Sequence, residues 1–130
     1  MSDLRLRAYW FAAGFSLLLL VALLSLMPVS DSVVSVVVGN DKLAHIVIYA
    51  LLSGWFSLLV IWRRSLWWVW CGLMTYGLLI EFLQGLTDYR FAELNDAIAN
   101  SIGAALGLIC HFTRLRDWLR QLDRYLSNFW

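Results

Sequence analysis

Proline is nearly absent from the chain of 130 residues: one occurs, Pro28. Cysteine is almost as scarce, with Cys71 and Cys110 in no paired spacing, so neither a zinc-finger nor a disulfide-scaffold framework is available. Charged residues make up 15% and leave a formal net charge of +1, which gives nucleic acid no broad basic face to bind. There is no Gly-rich phosphate loop and no G-x-S-x-G elbow, so the common soluble-enzyme motifs are missing. No run alternates polar and apolar residues in the way a membrane β-barrel requires.

Apolar residues, by contrast, are in excess. They reach 62%, with a mean hydropathy of +0.72, more than a soluble domain of this length can bury. They fall in blocks of about twenty, the length that crosses a hydrocarbon core of about 30 Å. Four spans are expected, at about 8–27, 43–62, 66–86 and 93–112, all helical because lipid offers the backbone no other partner. The first follows Arg5 and Arg7 and stops at Pro28; it is too long for a signal peptide and has no small-x-small cleavage site, so it is expected to be retained. The expected fold class is therefore an all-α membrane protein, a four-helix transmembrane domain over 1–112 followed by a cytoplasmic amphipathic helix over 113–130.

Basic residues set the expected orientation. Arg5, Arg7, Arg63, Arg64, Arg114, Arg116, Arg120 and Arg124 lie on one side of the spans and Lys42 and Arg90 on the other, which places both termini in the cytoplasm. Trp10, Trp62, Trp67, Trp68 and Trp70 gather near the basic side as interfacial anchors, and His111 reads as interfacial beside Arg114. In the tail, Leu115, Trp118, Leu119, Leu122, Tyr125, Leu126 and Phe129 recur every three or four residues, with Arg116, Asp117, Arg120, Asp123 and Arg124 on the remaining faces. Such a helix lies on the membrane surface, where its arginines gain from anionic lipid; docking to a soluble partner is the alternative. The segment 29–42, with its run of valines, could form a lip over the outer face.

Ionisable groups inside a span are costly, about 2.5–3.5 kcal/mol for a central aspartate. Those present are not scattered. Asp41, Lys42, His45 and Tyr49 share one face of the second helix; Gly77, Glu81 and Gln84 form a stripe on the third; Glu93, Asp96, Asn100, Gly103 and Gly107 form one on the fourth. The least costly packing turns all three stripes toward one another near the outer surface, with Arg90 reaching in from its short loop. The Gly103-x-x-x-Gly107 pair permits close helix approach. Each residue also has a plainer use: Asp41 as a cap, Lys42 as a snorkelling cation, Tyr49 as a packed aromatic, Glu81 and Asp96 as ion-pair partners of Arg90, Gln84 and Asn100 as interhelical hydrogen-bonding groups.

The segments DKLAHIVIYALL at 41–52, IEFLQ at 80–84 and RFAELNDAIANSIGAALG at 90–107 resemble the VanZ-like family of small bacterial membrane proteins. The family's polar positions fall on Asp41, Lys42, His45, Glu81, Gln84, Arg90, Asp96 and Asn100. The resemblance implies a place in the bacterial cytoplasmic (inner) membrane and, from the factor that gives the family its name, a context of low-level resistance to the glycopeptide teicoplanin. It implies no particular reaction.

Two function classes follow. In the first, an outer-leaflet site binds, and in its fuller form processes, an anionic lipid or lipid-linked cell-wall precursor. Asp41, Lys42, Gln84, Arg90 and Asn100 are then the ligand contacts, and His45, Glu81 and Asp96 the candidates for acid–base or nucleophilic chemistry. In the second, the protein is a noncatalytic accessory subunit, as a monomer or homo-oligomer, whose polar cluster holds the bundle together. No cofactor is called for. No metal is assigned either, since a motif such as H-x-x-x-H is missing; a divalent ion bridging a phosphate is the alternative. A channel is disfavoured because the inner halves of the spans are mostly Leu, Val, Trp and Gly.

Overall fold

The computed structural model describes residues 4–28, 41–88 and 93–129, and these are helical throughout, with no strand among them. In chain order the elements are α1 (Arg7–Leu26), α2 (Asp41–Leu59), α3 (Ser65–Gly85), α4 (Leu94–Gly107) with a 3₁₀ continuation (Leu108–Phe112), and α5 (Leu115–Leu126). α1, α2 and α3 are each long and apolar enough to cross a membrane; α4 and its continuation reach that standard only together with α5, from which they bend by 67°. The polar residues of α4 explain the difference. Asp96 and Asn100 are tolerable because α4 is the helix most closely packed against α2, which hides them from lipid.

Small residues make that pairing possible. A Cβ at Gly103 would collide with the carbonyl of Ile46, and one at Gly107 with the carbonyl of Ala50. With the backbones this close, Ser53 Oγ donates to the carbonyl of Ala104 at 2.6 Å, and Ser57 Oγ to those of Gly54 at 2.8 Å and Gly107 at 3.4 Å. Both serines are fully buried. The glycine spacing thus acts as the sequence suggests. Its partner is the face of α2 that carries Ile46, Ala50, Ser53 and Gly54.

α1 lies at the edge. Its side chains are apolar on every face and largely exposed, Leu19, Leu20, Leu23 and Leu24 among them, as suits a helix bathed in lipid. Hydrogen bonds from the bundle to its main chain hold it, among them Trp55 Nε1 to Trp10 O at 3.1 Å, Tyr76 Oη to Leu18 O at 2.7 Å and Gln84 Nε2 to Ser25 O at 2.9 Å. At about 0.6 kcal/mol each in a membrane setting, they contribute a modest total, and the packing of Gly14 against Phe56 and Trp55 adds shape fit.

The arginine-rich end departs from expectation at three points. α2 stops at Leu59 rather than near Trp62, because Arg116 Nη2 takes the carbonyls of Val60 at 2.9 Å and Ile61 at 3.2 Å and closes the helix end from below. His111 is buried rather than interfacial, its Nδ1 donating to Ser57 O at 2.8 Å while Arg116 Nη1 lies 3.4 Å from Nε2. Asp123 does not sit on the wet face of α5. It is 1% exposed, and its carboxylate accepts the main-chain N–H groups of Arg5 at 2.7 Å and Leu6 at 3.0 Å and the indole N–H of Trp10 at 2.8 Å. Its two main-chain donors lie in the turn just before α1, so a residue more than a hundred positions away fixes how the chain enters that helix. Burial pushes the Asp123 pKa up, but the three hydrogen bonds and the nearby Arg5 charge outweigh it and hold the carboxyl below the usual aspartate range.

α5 therefore has three faces. Leu119, Asp123 and Arg116 turn to the bundle; Asp117 and Arg124 turn to water; Leu115, Trp118, Leu122, Tyr125 and Phe129 form an exposed apolar stripe. That stripe has the spacing of a membrane-surface helix.

Candidate functional site

At the opposite end of the bundle, where α2 begins, α3 ends and α4 begins, three helices bring their polar residues together. α2 contributes two consecutive turns, with Asp41 and His45 stacked at a spacing of four. His45 Nε2 stands 3.9 Å from Asp41 Oδ1 and 3.8 Å from Asp96 Oδ2, both longer than a hydrogen bond. Its other nitrogen, Nδ1, lies 2.9 Å from Asn100 Oδ1. A carbonyl oxygen can only accept, so Nδ1 carries a proton and Nε2 is the nitrogen that faces the two carboxylates, offering a lone pair when the ring is neutral.

α4 begins at Leu94 with Glu93 as its flanking residue, and Glu81 of α3 organises that entry. Glu81 Oε2 accepts the Glu93 N–H at 3.2 Å, one of the donors a helix start leaves unpaired. Lys42 Nζ lies 3.3 Å from Glu93 Oε2 and 3.7 Å from Asp96 Oδ1. Two oxygens of this group, Glu81 Oε1 and Asp96 Oδ1, are buried without a hydrogen-bond partner. Buried carboxylate oxygens normally have one, so these two mark a place where a ligand, a proton or water completes the structure.

The expected stripes do meet, though not as one buried pocket. Glu81, Gln84, Asp96 and Asn100 are buried, His45 is partly so, and Asp41, Lys42 and Glu93 form an exposed rim. Gln84 faces α1 through its bond to Ser25, away from His45 in its bonding. Tyr49 packs as an aromatic, 4% exposed and 6.3 Å from the ring of Tyr76, with its hydroxyl near Gly77. Arg90 and the segment 29–40 lie outside the described residues. Glu93 belongs to the cluster more than its position on the fourth stripe alone suggested, since its side chain meets Lys42 and its N–H meets Glu81. The signal was present: a carboxylate immediately before a helix, three residues ahead of Asp96.

Comparison with curated proteins and with solved structures finds no match. The family model VanZ/LLP1, however, matches residues 15–115. That stretch begins inside α1 and ends as α5 begins, so it takes in the whole polar cluster with the helices that assemble it. A match across so much of the chain settles descent: this is a membrane protein of the VanZ/LLP1 family.

Proposed function

We propose that the polar cluster is an outer-leaflet site that binds the anionic headgroup of a lipid or lipid-linked cell-wall precursor in the bacterial cytoplasmic membrane, with both termini in the cytoplasm. The observation that carries this reading is the meeting of Asp41, Lys42, His45, Glu81, Asp96 and Asn100 from three helices at the end remote from most arginines, with two buried carboxylate oxygens left unpartnered. An intramembrane ionisable cluster costs stability and is retained where it binds or reacts. The exposed rim offers Lys42, and the loop residue Arg90 is the second cation assigned to phosphate or carboxylate. His45, set between two carboxylates with its tautomer held by Asn100, is suited to move a proton if the bound headgroup reacts; Glu81 and Asp96 are the companion acids.

The test is native mass spectrometry of the gently purified protein with lipid identification, for wild type, Lys42→Ala, Arg90→Ala and His45→Gln, each checked for helicity and monodispersity. Enrichment of a defined anionic lipid that falls in Lys42→Ala and Arg90→Ala supports the binding reading, whichever way His45→Gln behaves. Identical lipid profiles in all four overturn the reading. Teicoplanin susceptibility of cells with and without the protein tests the envelope role by a second route.

One observation favours a noncatalytic accessory role. Gln84 and Glu81 both spend hydrogen bonds on the fold, to Ser25 O and to Glu93 N, as structural residues do. Under that reading Glu81→Gln, which keeps an acceptor for Glu93, leaves every cellular phenotype unchanged; under the binding reading it does not.

A further inference from the structure

The described residues of the cluster set four carboxylates, Asp41, Glu81, Glu93 and Asp96, against one ammonium, Lys42, which pairs with Glu93 and Asp96. An excess of negative charge in a half-buried place is unsuited to take a phosphate directly. It is suited to take a cation first.

We infer that Asp41, His45 and Asp96 form a divalent-cation site. One donor atom from each residue lies within 4.8 Å of the other two. The two separations at His45, 3.9 Å from Nε2 to Asp41 Oδ1 and 3.8 Å to Asp96 Oδ2, are too long for hydrogen bonds. They are close to the spacing of donors around one ion: ligands about 2.0–2.2 Å from a common metal stand about 3.4–3.8 Å apart at tetrahedral to trigonal angles. His45 is oriented as a metal ligand is, with Nδ1–H donated to Asn100 Oδ1 and the Nε2 lone pair directed at the carboxylates. Without a cation or proton between them, that lone pair and the two carboxylates repel.

A second observation is independent of those distances. Asp96 has a side chain nine-tenths buried: its Oδ2 faces His45, while its Oδ1, 3.7 Å from Lys42 Nζ, has no hydrogen-bond partner, and Glu81 Oε1 is likewise buried without one. An ion at the Asp41–His45–Asp96 position would set a divalent charge beside a buried carboxylate that only the exposed Lys42 approaches from the rim. Lys42, at the exposed rim, can swing from Asp96 to Glu93 alone when an ion takes its place.

The donor set selects the class of ion. One imidazole with two carboxylates suits zinc or manganese; magnesium and calcium prefer oxygen alone, and no thiolate is near, Cys71 and Cys110 being closer to the other end of their helices. Three protein ligands leave an open coordination position, as in catalytic rather than structural sites, on the side of exposed Asp41. Resting on the lipid-binding reading, that position would take a phosphate oxygen of the headgroup, so the ion bridges protein and lipid.

The experiment strips the detergent-purified full-length protein with a chelator and titrates it with Zn²⁺ by calorimetry and Mn²⁺ by electron paramagnetic resonance. One ion per chain is expected, with affinity weakened about tenfold or more in His45→Gln and Asp96→Asn. Asp117→Asn, on the wet face of α5, should bind as wild type does. Asp41→Asn keeps the test decisive should a buried variant misfold, since Asp41 is exposed. Absence of a saturable site in wild type, or equal affinity in Asp41→Asn, His45→Gln and Asp117→Asn, overturns the proposal. A second arm places the protein in nanodiscs of phosphatidylglycerol or phosphatidylcholine with and without Zn²⁺. Phosphatidylglycerol retained on extraction only with the ion supports bridging. Phosphatidylglycerol retained equally without it overturns bridging, and no selective retention overturns the lipid reading, while the ion titration stands by itself.

Discussion

The carboxylate of Asp123, seven residues before Trp130, accepts the indole N–H of Trp10 at 2.8 Å and the main-chain N–H groups of Arg5 and Leu6 in the turn that leads into α1. The last helix thereby ties down the turn that leads into the first, and α1 is anchored at that end. The link is electrostatic and local, which makes its removal informative.

Asp123→Ala leaves three donors without their acceptor and should destabilise the protein by about 2–3 kcal/mol, read as a lower melting temperature in detergent. Because Trp10 packs 5.9 Å from Trp55, a change in tryptophan fluorescence should accompany it. An unchanged melting temperature would contradict the role.

Acid should act on the same residue. The Asp123 pKa is held below its ordinary value, so its stabilisation is fully present above the unfolded value of about 4 and is lost as pH falls through the folded one. The stability gap between wild type and Asp123→Asn should be constant from neutral pH down to about 4 and shrink below it. A gap that widens on acidification would refute this.

Glycine positions separate close packing from helix propensity. Gly103→Ala and Gly107→Ala place a methyl against the carbonyls of Ile46 and Ala50, and each should cost at least about 1–3 kcal/mol as α2 and α4 are forced apart. Gly72 has open space around its Cβ direction, so Gly72→Ala should instead gain about 0.5–1 kcal/mol. Thermal unfolding of the three variants in one detergent compares them directly.

Arg116 should resist conservative replacement. Its guanidinium reaches Val60 O, Ile61 O and the ring of His111 together, a geometry that the single ammonium of lysine does not reproduce. Arg116→Lys should lose about 1–2 kcal/mol and increase amide hydrogen exchange at the last turn of α2. Arg114→Lys, on an exposed residue, should change neither.

Much of this was legible from residue order. A chain with this many apolar blocks has to form membrane helices, since only a helix satisfies its backbone within lipid, and the spacing of Asp41 and His45, of Glu81 and Gln84, and of Asp96, Asn100, Gly103 and Gly107 put each group on one helix face. The cost of exposing them to lipid then required the faces to meet. The family pattern lay on the same residues.

What the sequence could not decide is which polar group meets which. Periodicity gives the angle of a side chain around its own helix, not the identity of the neighbour, because that depends on helix rotation and depth set by every packed residue at once. So Asp123, polar on an amphipathic pattern, turned inward toward the start of α1; His111, placed at the interface, went under Ser57; and Gln84, read either as a ligand contact or as an interhelical hydrogen-bonding group, found its partner on α1. The separation of His45 from Asp41 and Asp96, and the two oxygens left without partners, are likewise products of tertiary packing. Sequence determined that a polar cluster must form between the helices; the close approach of α2 and α4 decided its geometry, since backbone contact at Gly103 and Gly107 sets how near His45 and Asp96 can come.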